Sequence, residues 1–146
     1  MTKHLHDHMQ GTYQFLFDEA HRALNLGGSF RPFGAGVRKN GEPIETYVDL
    51  GNAAADPQAH IGGLISGLKE EDQRHGLMAA GLVFDGQMTD AQGAHGRALV
   101  FHLEAANGRA VEVVVPYEVK LSVVDFSEPV VTEVVPEIFP PQFNEG

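Results

Sequence analysis

Eight histidines stand among 146 residues, and they are the side chains with the most chemistry to offer. His4, His6 and His8 form an H-x-H-x-H run with Asp7 inside it. In an extended strand, a period of two sets all three imidazoles on one side. Such a set could hold Zn, Ni or Cu. Against this, the first residues of a chain are usually untethered. Asp7 and Gln10 can also form a capping box, which places His8 inside a helix and breaks the shared face. His60 lies near the apolar stripe of a helical stretch, and His102 lies on the strand face opposite Leu99 and Phe101. Both are candidate binding residues, although a lone imidazole is more often packed or solvated than a ligand. Asp90 and His95 fall in a Gly-rich stretch, residues 85–96, read as a loop.

Phe30, Arg31 and Phe33 make a further candidate binding element. Two aromatics flank a cation and Pro32, and these residue types are favoured at interface hot spots. The plainer alternative has Phe30 and Phe33 stapling the first helix to the following hairpin, with Arg31 in solvent.

Composition removes several chemistries. Cys is absent, which excludes disulfides, thiol catalysis and thiolate metal sites. Acids outnumber bases, 20 to 10, for a net charge of −10. Non-specific nucleic-acid or anionic-membrane binding needs a basic face, so neither partner is expected. No apolar run reaches the length of about 18 residues that spans a bilayer. Met1 to Gln10 lacks the apolar stretch of a signal peptide, so a cytoplasmic location is expected. There is no G-x-S-x-G; Ser66 sits in G-L-I-S-G-L within a helical stretch. P-loop, G-x-G-x-x-G and H-E-x-x-H patterns are missing, and no cofactor is implied. Glu70-Glu71-Asp72 reads as a solvated helix end.

These residues need elements to position them. A first helix is expected over His8 to Leu26, with Tyr13, Leu16, Phe17, Ala20, Ala23 and Leu24 as its apolar stripe. Gly27-Gly28 ends it. Phe33 to Arg38 and Ile44 to Leu50 read as a hairpin joined through Asn40-Gly41, a type I′ pair. A second helix starts at Asp56-Pro57 and carries Ile61, Leu64, Ile65 and Leu68 at helical spacing. Gly62, Gly63 and Gly67 inside it are explained by close approach to a sheet. Leu77 to Phe84 is a continuous apolar strand. Arg97 to Glu104 alternates, with Val100, His102 and Glu104 on one face. Asn107-Gly108 leads to Val111 to Val119 as another hairpin.

Residues 30–60, FRPFGAGVRKNGEPIETYVDLGNAAADPQAH, are similar to the opening of cytidine deaminases. The shared pattern is a Pro-aromatic turn, a hairpin around Gly, an Asn-Ala loop and a His-bearing helix. The resemblance would imply a zinc ligand followed two residues later by Glu, and a P-C-x-x-C motif. His60 is followed by Ile61 and Gly62, and the chain has no Cys. Deaminase chemistry is therefore rejected and no family is assigned. Profilin-like and roadblock-like domains share the α-β-β-α order by analogy of fold alone.

The order is α-β-β-α-β-β-β within a single α+β domain, residues 1–126. An antiparallel sheet of about five strands with two helices on one face is expected. Residues 127–146 follow as an extended, acidic, Pro-containing tail, packed in cis or on a partner subunit. Residues 121–146 carry Asp125, Glu128, Glu133, Glu137 and Glu145 with no Lys or Arg, a charge of −5. Yet Val130, Val131, Val134, Val135, Ile138 and Phe139 are too apolar for a disordered tail. The reading is a non-enzymatic binding or interaction module acting as a homodimer. Two alternatives stand beside it. One is a small His-based or metal-dependent enzyme or small-molecule binder. The other is an acidic inhibitor or immunity-type protein with a basic protein partner.

Overall fold

The computed structural model describes residues 7–27, 30–46, 57–89, 95–121 and 123–139. Among these residues two helices, α1 (Asp7–Gly27) and α2 (Pro57–His75), accompany seven strands. These are β1 (Phe33–Arg38), β2 (Pro43–Thr46), β3 (Leu77–Thr89), β4 (His95–Ala105), β5 (Ala110–Lys120), β6 (Val123–Phe126) and β7 (Val130–Glu133). The sheet is antiparallel, in the order β2-β1-β3-β4-β5-β6, with β7 also on β5. The chain is thus an α+β fold built on an antiparallel sheet.

The strand count exceeds the expected five because the C-terminal segment joins the sheet. β6 pairs with the last third of β5, Tyr117 opposite Phe126. β7 pairs with its first half, Val114 opposite Val130. The two registers are one residue out of step, so Ser127, Glu128 and Pro129 form a break in one long outer strand.

Placing both helices on one face is overturned. Ala79 packs with Leu16, Ala20 and Leu24 of α1, whereas its neighbour Ala80 packs with Leu68 of α2. Successive strand residues point to opposite faces, so the helices cover opposite faces. The reason lies in β3, whose apolar run Leu77 to Phe84 has two faces to bury. β2 and β3 both run antiparallel to β1, hence parallel to each other, and α2 is the crossover between them.

Both Asn-Gly turns also differ from expectation. Type I′ needs positive φ at both central residues. Here only Gly41 (φ 90°) and Gly108 (φ 93°) are left-handed. Gly41 N donates to Arg38 O (2.8 Å) and Gly108 N to Ala105 O (3.0 Å), giving type I turns followed by a left-handed glycine. Each Asn side chain accepts from the amide two residues on, Glu42 or Arg109, which favours the right-handed conformation at Asn.

The stretch 85–96 is mostly strand rather than loop: β3 and β4 pair out to Thr89 and His95. At Gly81 an added Cβ would lie 2.7 Å from Leu103 Cδ2 and 2.8 Å from His102 O, so only Gly lets α1 settle, with Leu16 overhead. Gly62, by contrast, faces open space, so close approach does not explain it. Gly76 (φ 73°) ends α2, its N–H donating to Asp72 O at 2.8 Å, as a left-handed helix stop. Arg38 then ties the first hairpin to α2 through Glu71 and to its own turn through Glu42.

Candidate functional site

The face carrying α2 holds a fully buried carboxylate. Glu104 stands on β4, two residues from His102 and therefore on the same face. His102 Nε2 donates to Glu104 Oε2 at 2.5 Å. Three successive main-chain N–H groups from the C-terminal segment converge on the same carboxylate. Glu137 N donates to Oε2 at 2.6 Å, Ile138 N to both oxygens at 2.9 and 3.0 Å, and Phe139 N to Oε1 at 3.0 Å. Consecutive amides cupped around an anion form a nest. Burial alone would raise the Glu104 carboxyl's pKa; the hydrogen bonds from His102 and the three amides outweigh it and hold the group below its ordinary value.

The nest places two apolar side chains. Ile138 and Phe139 are buried with Leu68, Leu77 and Ala80, against Ile44, Ile65 and Ala106. They fill a slot between α2 and the sheet. Beside them runs an open groove of about 450 Å³ between Lys69, Asp72 and Gln73 of α2 and Pro136 and Glu137. The segment reaches the slot directly from β7, since Val134 N donates to Ala110 O at 3.0 Å.

A second polar cluster lies on the α1 face. Tyr117 OH donates to Asp85 Oδ1 at 2.7 Å, and Arg97 donates to Asp85 Oδ2. The Arg97 guanidinium lies 5.1 Å from the Tyr117 ring centre. Burial, then the bond to Asp85, raises the Tyr117 hydroxyl's pKa far above its ordinary range. Phe126 joins this end to α1 through Phe17 and His21, at ring separations of 4.8 and 5.0 Å.

The histidines expected from sequence are not brought together as a set. His4 and His6 lie outside the described residues; His8 sits in the first turn of α1, half-buried. Among the described residues no group of three His, Asp or Glu is placed to hold a metal ion. Asp90 lies outside the described residues, and His95 opens β4. His60 is buried on α2 in line with Leu64 and Leu68, so it points at the same sheet face that carries His102. Phe30 and Phe33 meet edge to face at 5.6 Å and pack on the α1 core, with Arg31 exposed beside them. With Glu19 and Ala23 they line a shallow cavity of about 330 Å³.

Glu104 was missed as a site residue. Its signal was present: a carboxylate sharing a strand face with His102 and Val100. What could not be read is that its other partners are main-chain amides, which no residue type announces.

The last feature is a margin rather than a cavity. Among the described residues seven large apolar side chains stand exposed, and six of them, Val119, Leu121, Val123, Val130, Val131 and Val135, lie along the end of β5 and the segment after it. Leu121 is 99% exposed and left-handed, with φ 51°. Among the described residues no helix is long and apolar enough to cross a membrane. Comparison of this chain with protein-family models, with curated proteins and with solved structures finds no match. The deaminase-like stretch at residues 30–60 therefore carries no family assignment.

Proposed function

We propose that this chain is a non-enzymatic interaction module that self-associates as a homodimer through its C-terminal margin. The observation that carries the reading is that, of the seven large apolar side chains exposed among the described residues, six lie on the end of β5, on β6 and β7 and on the residues joining and following them. Scattered apolar residues are ordinary on a surface; a gathered set marks a contact. β6 and β7 pair only with β5 among the described strands, so they form an edge, where unpaired main-chain groups invite another strand. Leu121 adds to the argument. A left-handed leucine is strained, and leaving it in water adds an apolar surface with nothing to cover it.

Charge makes the same point. Two copies, each at −10, repel at long range. An apolar contact with its charges at the rim is the arrangement that lets them meet. The carboxylates that might have served catalysis are bonded within the chain: Glu104 to His102 and three amides, Asp85 to Arg97 and Tyr117.

Light scattering on the wild-type chain and on Leu121→Asn, Val123→Lys and Val130→Lys tests the reading. All three side chains are exposed, so the variants should fold as the wild type does, checked by circular dichroism. The expected result is a two-chain mass for the wild type and a one-chain mass for the variants. A one-chain wild type, or variants that keep the two-chain mass, would overturn it.

A further inference from the structure

The slot closed by Glu104 is a binding site whose occupant is visible: an extended segment that presents three consecutive N–H groups and two apolar side chains. We propose that in the dimer this site takes the arm of the second copy. Residues 130–139 exchange between chains, so that β7 lies on the other copy's β5 and Ile138 and Phe139 fill the other copy's slot. The inference rests on the self-association reading above and names its contact.

Three observations carry it. First, the arm is a self-contained unit. Every contact just described lies beyond residue 129: the β7 ladder on β5, the Arg109–Glu133 ion pair at 3.0 Å, the Val134 bond to Ala110, the nest and the slot. β6 stays behind, held to α1 through Phe126. Second, the joint between them is already a break. Ser127, Glu128 and Pro129 are exposed, the register steps by one residue across them, and Pro129 has no N–H to lose. Turning the arm away from β5 after Ser127, whose N–H donates to Pro116 O at 2.8 Å, costs β6 no ladder bond, and the β7 ladder is remade on the other copy.

Third, emptying the slot is costly. Without the arm, Glu104 would lose three amide donors and keep only His102, and Ile138 and Phe139 would lose their places against Leu68, Leu77 and Ala80. An identical arm from a second copy restores every bond. Exchange of like for like conserves the contacts and is a low-cost route to a dimer. It also brings the two exposed margins side by side, which continues the contact proposed above.

The absence of Cys gives a clean test. Glu112 and Thr132 are cross-strand partners between β5 and β7, as are Val113 and Val131. The double variants Glu112→Cys/Thr132→Cys and Val113→Cys/Val131→Cys are made in the full chain, oxidised at pH 7 and run on a non-reducing gel beside a light-scattering measurement. Two pairs guard against one failing to fold or to oxidise. Thr132→Cys alone controls for random coupling. The expected result is a two-chain band, reversed by reductant, from a sample of two-chain mass. A one-chain band with an internal cross-link in a sample of two-chain mass overturns the exchange and leaves the self-association reading standing. A one-chain band in a sample of one-chain mass overturns both. Failure of both folded pairs to cross-link shows no arm on β5 and overturns the exchange as well.

Discussion

The two faces of the sheet are built on different terms. The α1 face is an apolar and aromatic core: Leu16, Ala20, Phe101, Val113 and Tyr117 pack under one long helix, and its polar trio sits at the rim. The α2 face is covered by a helix only over β1, β2 and β3, and is finished by a strap from the C-terminus. There a buried ion holds the covering element together with two apolar side chains, Ile138 and Phe139. Apolar packing is insensitive to pH and hard to undo locally. A carboxylate in a nest of amides is strong while it is ionised and is lost as one unit when it is not. The two faces therefore differ in what closes them: apolar packing on one, an ionised carboxylate beside two apolar side chains on the other.

The largest effect that separates the faces should come from Glu104→Ala. It leaves three amides and an imidazole without their acceptor, a loss of about 3–5 kcal/mol by chemical denaturation. Hydrogen exchange should show residues 134–139 opening while β4 and α1 stay protected. Uniform loss of protection across both faces would break the comparison.

Acid is the reversible form of the same test. The Glu104 pKa is lowered in the fold, so its stabilisation is complete above the unfolded carboxylate pKa of about 4.3 and is lost as pH falls through the folded value. His102 on β4, Glu112 opposite it on β5, Glu137 on the strap and Lys69 and Asp72 on α2 are the other titratable groups around this end of the slot. The wild type should lose stability in acid more steeply than Glu104→Gln, followed by thermal melts from pH 6 downwards; parallel curves would contradict the assignment.

On the other face, Gly81→Ala drives a methyl into Leu103 and the His102 carbonyl, with an expected cost of about 1–3 kcal/mol from overpacking under α1. A smaller loss, about 1.5 kcal/mol, is expected of Tyr117→Phe, because Asp85 keeps Arg97 after losing the hydroxyl. Smallest of all is Arg74→Ala. Its 3.8 Å pair with Glu70 is exposed, and melting should move by no more than about 0.5 kcal/mol.

Much of this architecture is legible in the residues, and the failures have physical causes. The α1 stripe is plain because Leu16, Ala20 and Leu24 recur at helical spacing and are buried. Pro57 and Gly76 bracket α2 for backbone reasons that any sequence shows. The side of the sheet taken by α2 was misread because two hairpins suggest a one-sided sheet, while the unbroken apolar run of β3 argues for two covered faces. The Asn-Gly pairs reveal turns but not their type, which the Asn side-chain bonds decide. The candidate site was half visible: His102 was singled out, yet Glu104 reads as an outward residue until main chain from residues 137–139 arrives to bury it. Long-range partners of that kind leave no periodicity behind.

The central claim is that the chain works as a pair joined through its C-terminal margin. Native mass spectrometry of the untagged protein tests it most directly. A pair gives the mass of two chains with nothing added. A one-chain mass at every concentration would contradict it.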